Sequence, residues 1–154
     1  VRDLNDAVGL WEVHNPGWKV SMLPSSRESA IDGFLIAPTG EVVAGIEAKC
    51  RYDITLDAFQ SKFNNEWLIT MRKLTTAWNV CSALCIPLVG FLYLVDDRTL
   101  LTKRIVNEDG DFCAGFRCDR TETQRTVNGG TAERANAFVR MEDCREYRVT
   151  RSTV

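Results

Sequence analysis

Only one histidine, His14, occurs in 154 residues. Histidine-rich metal sites and Ser/His/Asp schemes lose support, because both put imidazole at the centre of the chemistry. Long apolar runs are also missing. The longest, IPLVGFLYLV at 86–95, is half of the roughly 20 residues a membrane helix needs, so no membrane partner is expected. The opening VRDLNDAV is polar, shows no signal-peptide pattern and has no methionine ahead of it, so a trimmed start in a cytoplasmic protein is expected. Tight Cys-x2-Cys pairs are lacking too. The six cysteines include Cys81 and Cys85, three residues between them, and Cys113 and Cys118, four between them. In a reducing compartment disulfides are not expected. Cys81 and Cys85 continue an apolar helical stripe, where free cysteine acts as a small hydrophobe. A zinc-stabilised interaction protein remains an alternative reading. Finally, lysine is absent from 113–154, where eight arginines stand against six acids. Arginine suits bidentate phosphate contacts, and dispersed surface arginine is the plainer reading. The net charge of −2 excludes a strongly basic tail. It does not exclude nucleic acid, because steering depends on where charge lies.

What is present is enough apolar material for one ordinary domain over 1–154, at 45% hydrophobic residues. Leu4, Ala7, Val8 and Trp11 give a first helix at 3–12. HNPG is a turn and WKVSML a strand. Two further strands, 30–37 and 41–50, flank Pro38-Thr39-Gly40 and read as a hairpin. Thr55 caps a long helix whose stripe is Phe59, Phe63, Trp67, Met71, Leu74, Trp78, Cys81 and Cys85, with a break expected at Thr75-Thr76. Residues 88–95 form a strand buried on both faces, and LLTKRIV another. Beyond Phe112, FRCDRTETQRTV alternates as a strand, VNGGT is a turn, and AERANAFVRM is expected as a short helix. The Gly129-Gly130 pair reads as a structural turn. The order α-β-β-β-α-β, followed by additions, predicts an α/β (α+β) domain with helices on a mixed sheet, its core at about 3–95 and additions at 96–154.

The hairpin concentrates the chemistry. If Thr39 and Gly40 are its two central residues, Ala37 faces Val42 and Asp32 faces Glu47. Opposed side chains lie about 4.5–5.5 Å apart at Cβ. Lys49 shares the face of Glu47, two residues on. A three-residue loop with Gly40 in a bulge would shift the register by one and turn Asp32 away unless a second bulge compensated. Two carboxylates so close repel unless one is protonated or a cation lies between them. A hard divalent cation with oxygen ligands answers that need, and magnesium with two carboxylates and several waters suits phosphodiester chemistry. The plain alternative is a cross-strand salt bridge on a solvated face.

Asp32, fourteen residues, then Glu47-x-Lys49 across a hairpin resembles the PD-(D/E)xK nuclease superfamily, with Ile31 in place of its variable proline. The predicted element order of residues 3–95 also looks like that superfamily's restriction-endonuclease-like αβββαβ core. The resemblance implies Mg2+ or Mn2+ held by Asp32, Glu47 and the Ala48 backbone carbonyl, with Lys49 serving the nucleophilic water. It implies a further metal-shell glutamate on the first helix, for which Glu12 is the best match and Glu28, before the Asp32 strand, the second. RecB-like members carry a glutamine on the following helix. Gln60 takes that place, but Asn64 stands where their tyrosine would be, which speaks against a RecB-type exonuclease. Lys62 and Lys73 would reach DNA phosphates from this helix, and Ser25, Ser26 and Arg27 from the loop before the motif.

The expected function is therefore a metal-dependent deoxyribonuclease of phage or mobile-element origin, repair-, recombination- or resolvase-like, acting in the host cytoplasm. Its partner would be DNA. Many relatives are dimers, so a homodimer is a further expectation of the resemblance. A non-catalytic DNA-binding module on the same fold is the alternative.

Overall fold

Why the chain reverses where it does is clearest at the hairpin. The computed structural model describes residues 2–24, 28–125 and 131–149. In it Gly40 has φ +87°, a conformation that glycine adopts without strain. Ala37 O accepts from Gly40 N, and Ala37 N donates to Glu41 O, which makes a three-residue loop rather than a two-residue one. The register shift appears as anticipated, with Ile36 opposite Val42. A compensating bulge between Leu35 and Ile36 then restores Leu35 opposite Ala44 and Gly33 opposite Ile46. Two one-residue offsets cancel, and the frame that sets Asp32 across from Glu47 survives.

The first helix, α1 (Arg2–His14), buries Ala7 and Trp11. Strands β1 (Lys19–Met22), β2 (Gly33–Ile36) and β3 (Val42–Arg51) follow as an antiparallel run. Strand β5 (Leu88–Leu94) pairs with β3 in parallel, as a strand reached by a crossover does. It continues antiparallel into β6 (Thr99–Val106) and β9 (Arg145–Arg148). The result is a mixed six-stranded sheet in the order β1-β2-β3-β5-β6-β9. On one face Ala7 and Trp11 pack with Ile46, Phe91, Tyr93 and Leu100. On the other lies a larger core that includes Phe59, Trp67, Leu74, Cys81, Leu92, Leu101 and Val139. The fold is mixed α/β, with few helices. No helix of the described residues is long and apolar enough to cross a membrane.

The long helix expected from 55 onward is a correction. The chain forms α2 (Leu56–Ser61), then β4 (Glu66–Thr70), then α3 (Met71–Ala83). Asn64 and Asn65 both take left-handed φ values near 55°, which asparagine tolerates and a helix cannot continue through. Beyond them Trp67 and Ile69 point inward at the strand period, while the Thr70 hydroxyl accepts from Lys73 N and caps α3. The break therefore falls near 62–70 and not at Thr75-Thr76, which lie inside α3. The apolar stripe misled because Trp67 is buried under either period, whereas Phe63, placed in the stripe, is exposed.

The second correction concerns AERANAFVRM. It forms most of β8 (Thr131–Arg140), the central strand of a small antiparallel sheet between β4 and β7 (Phe116–Arg125). Buried Asn136, Ala137 and Val139 fit a strand covered on both sides. The VNGGT turn, with Gly129 and Gly130, lies largely outside the described residues. Beyond residue 95, β6 and β9 widen the large sheet, and β8 pairs with β4.

Candidate acidic cleft

Strand β3 alternates as the sequence suggested. Ile46 and Ala48 face α1, while Gly45 and Glu47 face α3. Gly45 is essential to that second face, since a Cβ there would come within 2.5 Å of Cys81 Sγ. Its absence lets α3 lie directly on β3 and brings the first turn of α3 over Glu47.

Asp32 sits one residue before β2. Its backbone N–H donates to Ile46 O at 2.8 Å and its carbonyl accepts from Leu23 N at 2.8 Å, so three strands hold it. Its side chain has a local task as well. Past the end of β2 the Ala48 N–H has no strand partner, and Asp32 Oδ2 accepts from it at 2.8 Å. This bond aims the carboxylate along the β2-side edge of β3. Alternation directs the Ala48 carbonyl to the same edge.

Glu47 is 1% exposed, against 26% for the Asp32 side chain. Lys73 Nζ, from the first turn of α3, lies 2.8 Å from Glu47 Oε1, 3.2 Å from Asp32 Oδ2 and 3.4 Å from Asp32 Oδ1. Both carboxylates thus converge on one cationic point. The contact with Glu47 is close but poorly aligned as a hydrogen bond, and the second oxygen, Oε2, is buried with no partner. Burial first, and then the charge of Asp32, push the Glu47 carboxyl up to about 8, against the pull of Lys73. Burial lowers the Lys73 ammonium, but Glu47 and Asp32 outweigh it and hold the group above its ordinary range. With two carboxylates on one ammonium, the deeper acid keeps its proton. Lys49 is exposed on the same strand face. Partial desolvation, then Arg51 and Lys73, push it down, opposed by Asp32.

Do these residues fit a divalent cation? Two carboxylates and one carbonyl leave most of an octahedral shell to water, the manner in which magnesium binds. The unpartnered Glu47 Oε2 is an oxygen ligand without present use. No group of three or more His, Cys, Asp or Glu comes together among the described residues. A closed, all-protein shell, including the zinc alternative, therefore finds no donor set there. The donors fit a hydrated hard cation, with Lys73 displaced from the point it holds.

The cleft beside the pair has a volume of about 580 Å³, and Asp32, Ala48, Glu28, Arg72 and Lys73 are among its lining. Lys49 is not among the residues that line it, and of the remaining expected residues Glu28 stands exposed on its wall. Glu12 does not line it: α1 reaches the cleft with Leu4, near its start, and Glu12 lies about two turns farther along the helix. Gln60 is exposed on α2 and lines neither this cleft nor the groove that holds Lys62. Ser25, Ser26 and Arg27 lie outside the described residues. Lys73, expected only as a phosphate contact, is the residue that joins the two acids. Its role was hidden by the continuous helix: once α3 is capped at Thr70, Lys73 falls in the first turn, facing β3. No family model, no curated protein and no solved structure matches the chain.

Proposed function

We propose that the protein is a divalent-metal-dependent deoxyribonuclease, resembling the PD-(D/E)xK nucleases and sharing their restriction-endonuclease-like core, that hydrolyses DNA phosphodiester bonds with Asp32, Glu47 and Lys49. The observation that supports it most is the convergence of two carboxylates, set opposite each other by compensated bulges, on one cationic point beside an open cleft. Asp32, Glu47 and the Ala48 carbonyl would hold Mg2+ or Mn2+. A cation there would acidify a water and offset charge on the phosphate in the transition state. Asp32 is oriented by its bond from Ala48 N, so its carboxylate needs no rearrangement. Glu47, relieved of its proton by the ion, would supply the second oxygen. Lys49, exposed and lowered from its ordinary range, is suited to orient the attacking water or to neutralise the phosphate. Arg72, on the cleft wall, offers a fork for a neighbouring phosphate.

One observation favours a second reading, a DNA-binding module without catalysis: the Lys73 ammonium already lies between the two carboxylates without any metal. Cleavage separates the two. The protein is incubated with linear, circular, single-stranded and branched DNA in magnesium, manganese or EDTA. Metal-dependent cutting that Lys49→Ala lowers by about 100-fold or more supports the nuclease. No cutting of any substrate, or full activity in Lys49→Ala, sinks it.

A further inference from the structure

A second depression lies farther along the same two strands. Strand β3 runs from Ala48 in the acidic cleft, through Lys49, to Arg51. Strand β4 runs back from Thr70 in the cleft to Leu68 and Glu66. Arg51, Lys62, Phe63 and Arg117 line the groove of about 330 Å³ where both strands arrive. From Glu47 to Arg51 the strand spans four residues, about 13 Å.

Three features separate this groove from an ordinary surface dent. Phe63 is 49% exposed although it is a large aromatic, held out by the left-handed turn at Asn64 and Asn65. Arg117 is fixed before any ligand arrives: Glu66 accepts from its Nε and Nη2 at 3.0–3.3 Å, and its guanidinium carbon lies 4.0 Å from the Phe138 ring centroid. The charge balance differs from the cleft's, where Glu28 and Asp32 on the lining stand against Arg72 and Lys73: here three cations meet the single lining acid, Glu66, which Arg117 already engages. A groove of this volume is far too small for a double helix. It suits a flexible polyanion with flat faces, because stacking on an aromatic and ion pairing along a backbone are how unpaired strands are held.

Resting on the nuclease reading, we infer that this groove binds the single-stranded part of a nucleic-acid substrate next to the scissile phosphate. Bases stack on Phe63, and Arg51 and Lys62 pair with the backbone. The enzyme's preferred substrate would then be a single strand, or a duplex with an unpaired end or flap, in place of a fully paired duplex.

The test is binding in EDTA, so that no cleavage enters, with fluorescent dT20 and a blunt 20-base-pair duplex as probes. The wild type is expected to bind dT20 more tightly than the duplex. Phe63→Ala should weaken dT20 by about 5- to 140-fold, the range for loss of one stacked base, and Phe63→Tyr should restore it. Arg51→Gln and Lys62→Gln should each reduce the salt slope of dT20 binding by about 0.7. Circular dichroism confirms that each variant is folded, as substitution at exposed Lys62 and Phe63 and half-buried Arg51 should leave it. If Phe63→Ala binds dT20 like the wild type, or the duplex binds as tightly as dT20, the inference is overturned. In either case metal-dependent cleavage by the wild type would leave the nuclease reading standing.

Discussion

The acidic cleft and the basic groove are built on the same strands and differ in how their charges are arranged. In the cleft two carboxylates share one lysine, and the lysine comes from a helix that passes over the sheet. In the groove three cations surround one carboxylate, and that carboxylate only positions Arg117. The burial is also unlike. Glu47 is shut in, so its charge is costly and its proton is retained, whereas the groove's cations keep contact with water and cost little to hold charged. Two carboxylates that converge on one point, one of them desolvated, are poised to accept a cation. A site with base in excess and open is poised to accept an anion. On the proposed reading, one end of β3 would carry the chemistry and the other the grip.

The sharpest way to break that division is to compare substitutions at the two ends. Asp32→Asn or Glu47→Gln should lower kcat for metal-dependent DNA cleavage by about 1,000-fold or more, the scale of losing metal-assisted charge stabilisation. Phe63→Ala should raise KM for a single-stranded substrate and leave kcat nearly constant, because it removes binding that ground and transition states share. Steady-state kinetics on a labelled oligonucleotide reads both. Equal kcat losses at the two ends would mean that the groove belongs to the chemistry and the contrast is false.

The second prediction uses protons. In EDTA, Glu47 holds its proton in the folded state up to about pH 8, while the unfolded chain loses it near 4.5. Between those values the native state binds more protons than the unfolded one. Stability therefore falls as pH rises, with a slope approaching about 1.4 kcal/mol per pH unit. Urea unfolding at pH 5, 6, 7 and 8 measures it. Glu47→Gln should flatten this slope, and magnesium should flatten it in the wild type by favouring the carboxylate. An unchanged slope in Glu47→Gln would place the titration elsewhere.

Much of the cleft was legible because its logic is short-range. Counting back from Glu47-x-Lys49 through Pro38-Thr39-Gly40 finds Asp32, and the three-residue turn with its compensating bulge was one of the two arithmetics that could do so. What could not be read was everything that depends on the correct period between 56 and 86. Phe59, Trp67, Leu74 and Cys81 are all core residues, so a helical stripe fits them. Only the left-handed turn at Asn64-Asn65 and the distant partner strand β8 decide for a strand at 66–70. Partner strands seventy residues away leave no local trace. With β4 went the position of Lys73 and the existence of the groove, since Arg117 arrives on β7 and Phe138 on β8. Glu12 was placed by its match to the first-helix glutamate of the family it resembles, and that match does not say which end of α1 reaches the cleft.

Lys73 gives the smallest effect and the finest test of the comparison, because its ammonium contacts both carboxylates without a metal. Lys73→Met removes the ammonium and keeps the aliphatic stem. Breaking a fully buried pair costs about 3–5 kcal/mol. Here the lysine side chain is 43% exposed, and Glu47 can remain protonated, so about 1–2 kcal/mol in EDTA is expected. The variant should then recover more stability from magnesium or manganese than the wild type does, since the cation no longer has to displace a resident charge. Differential scanning calorimetry with and without metal reads this directly. If metal raises Tm equally in both proteins, the ion and the ammonium do not compete for the same point, and the cleft's two carboxylates do not form the metal's seat.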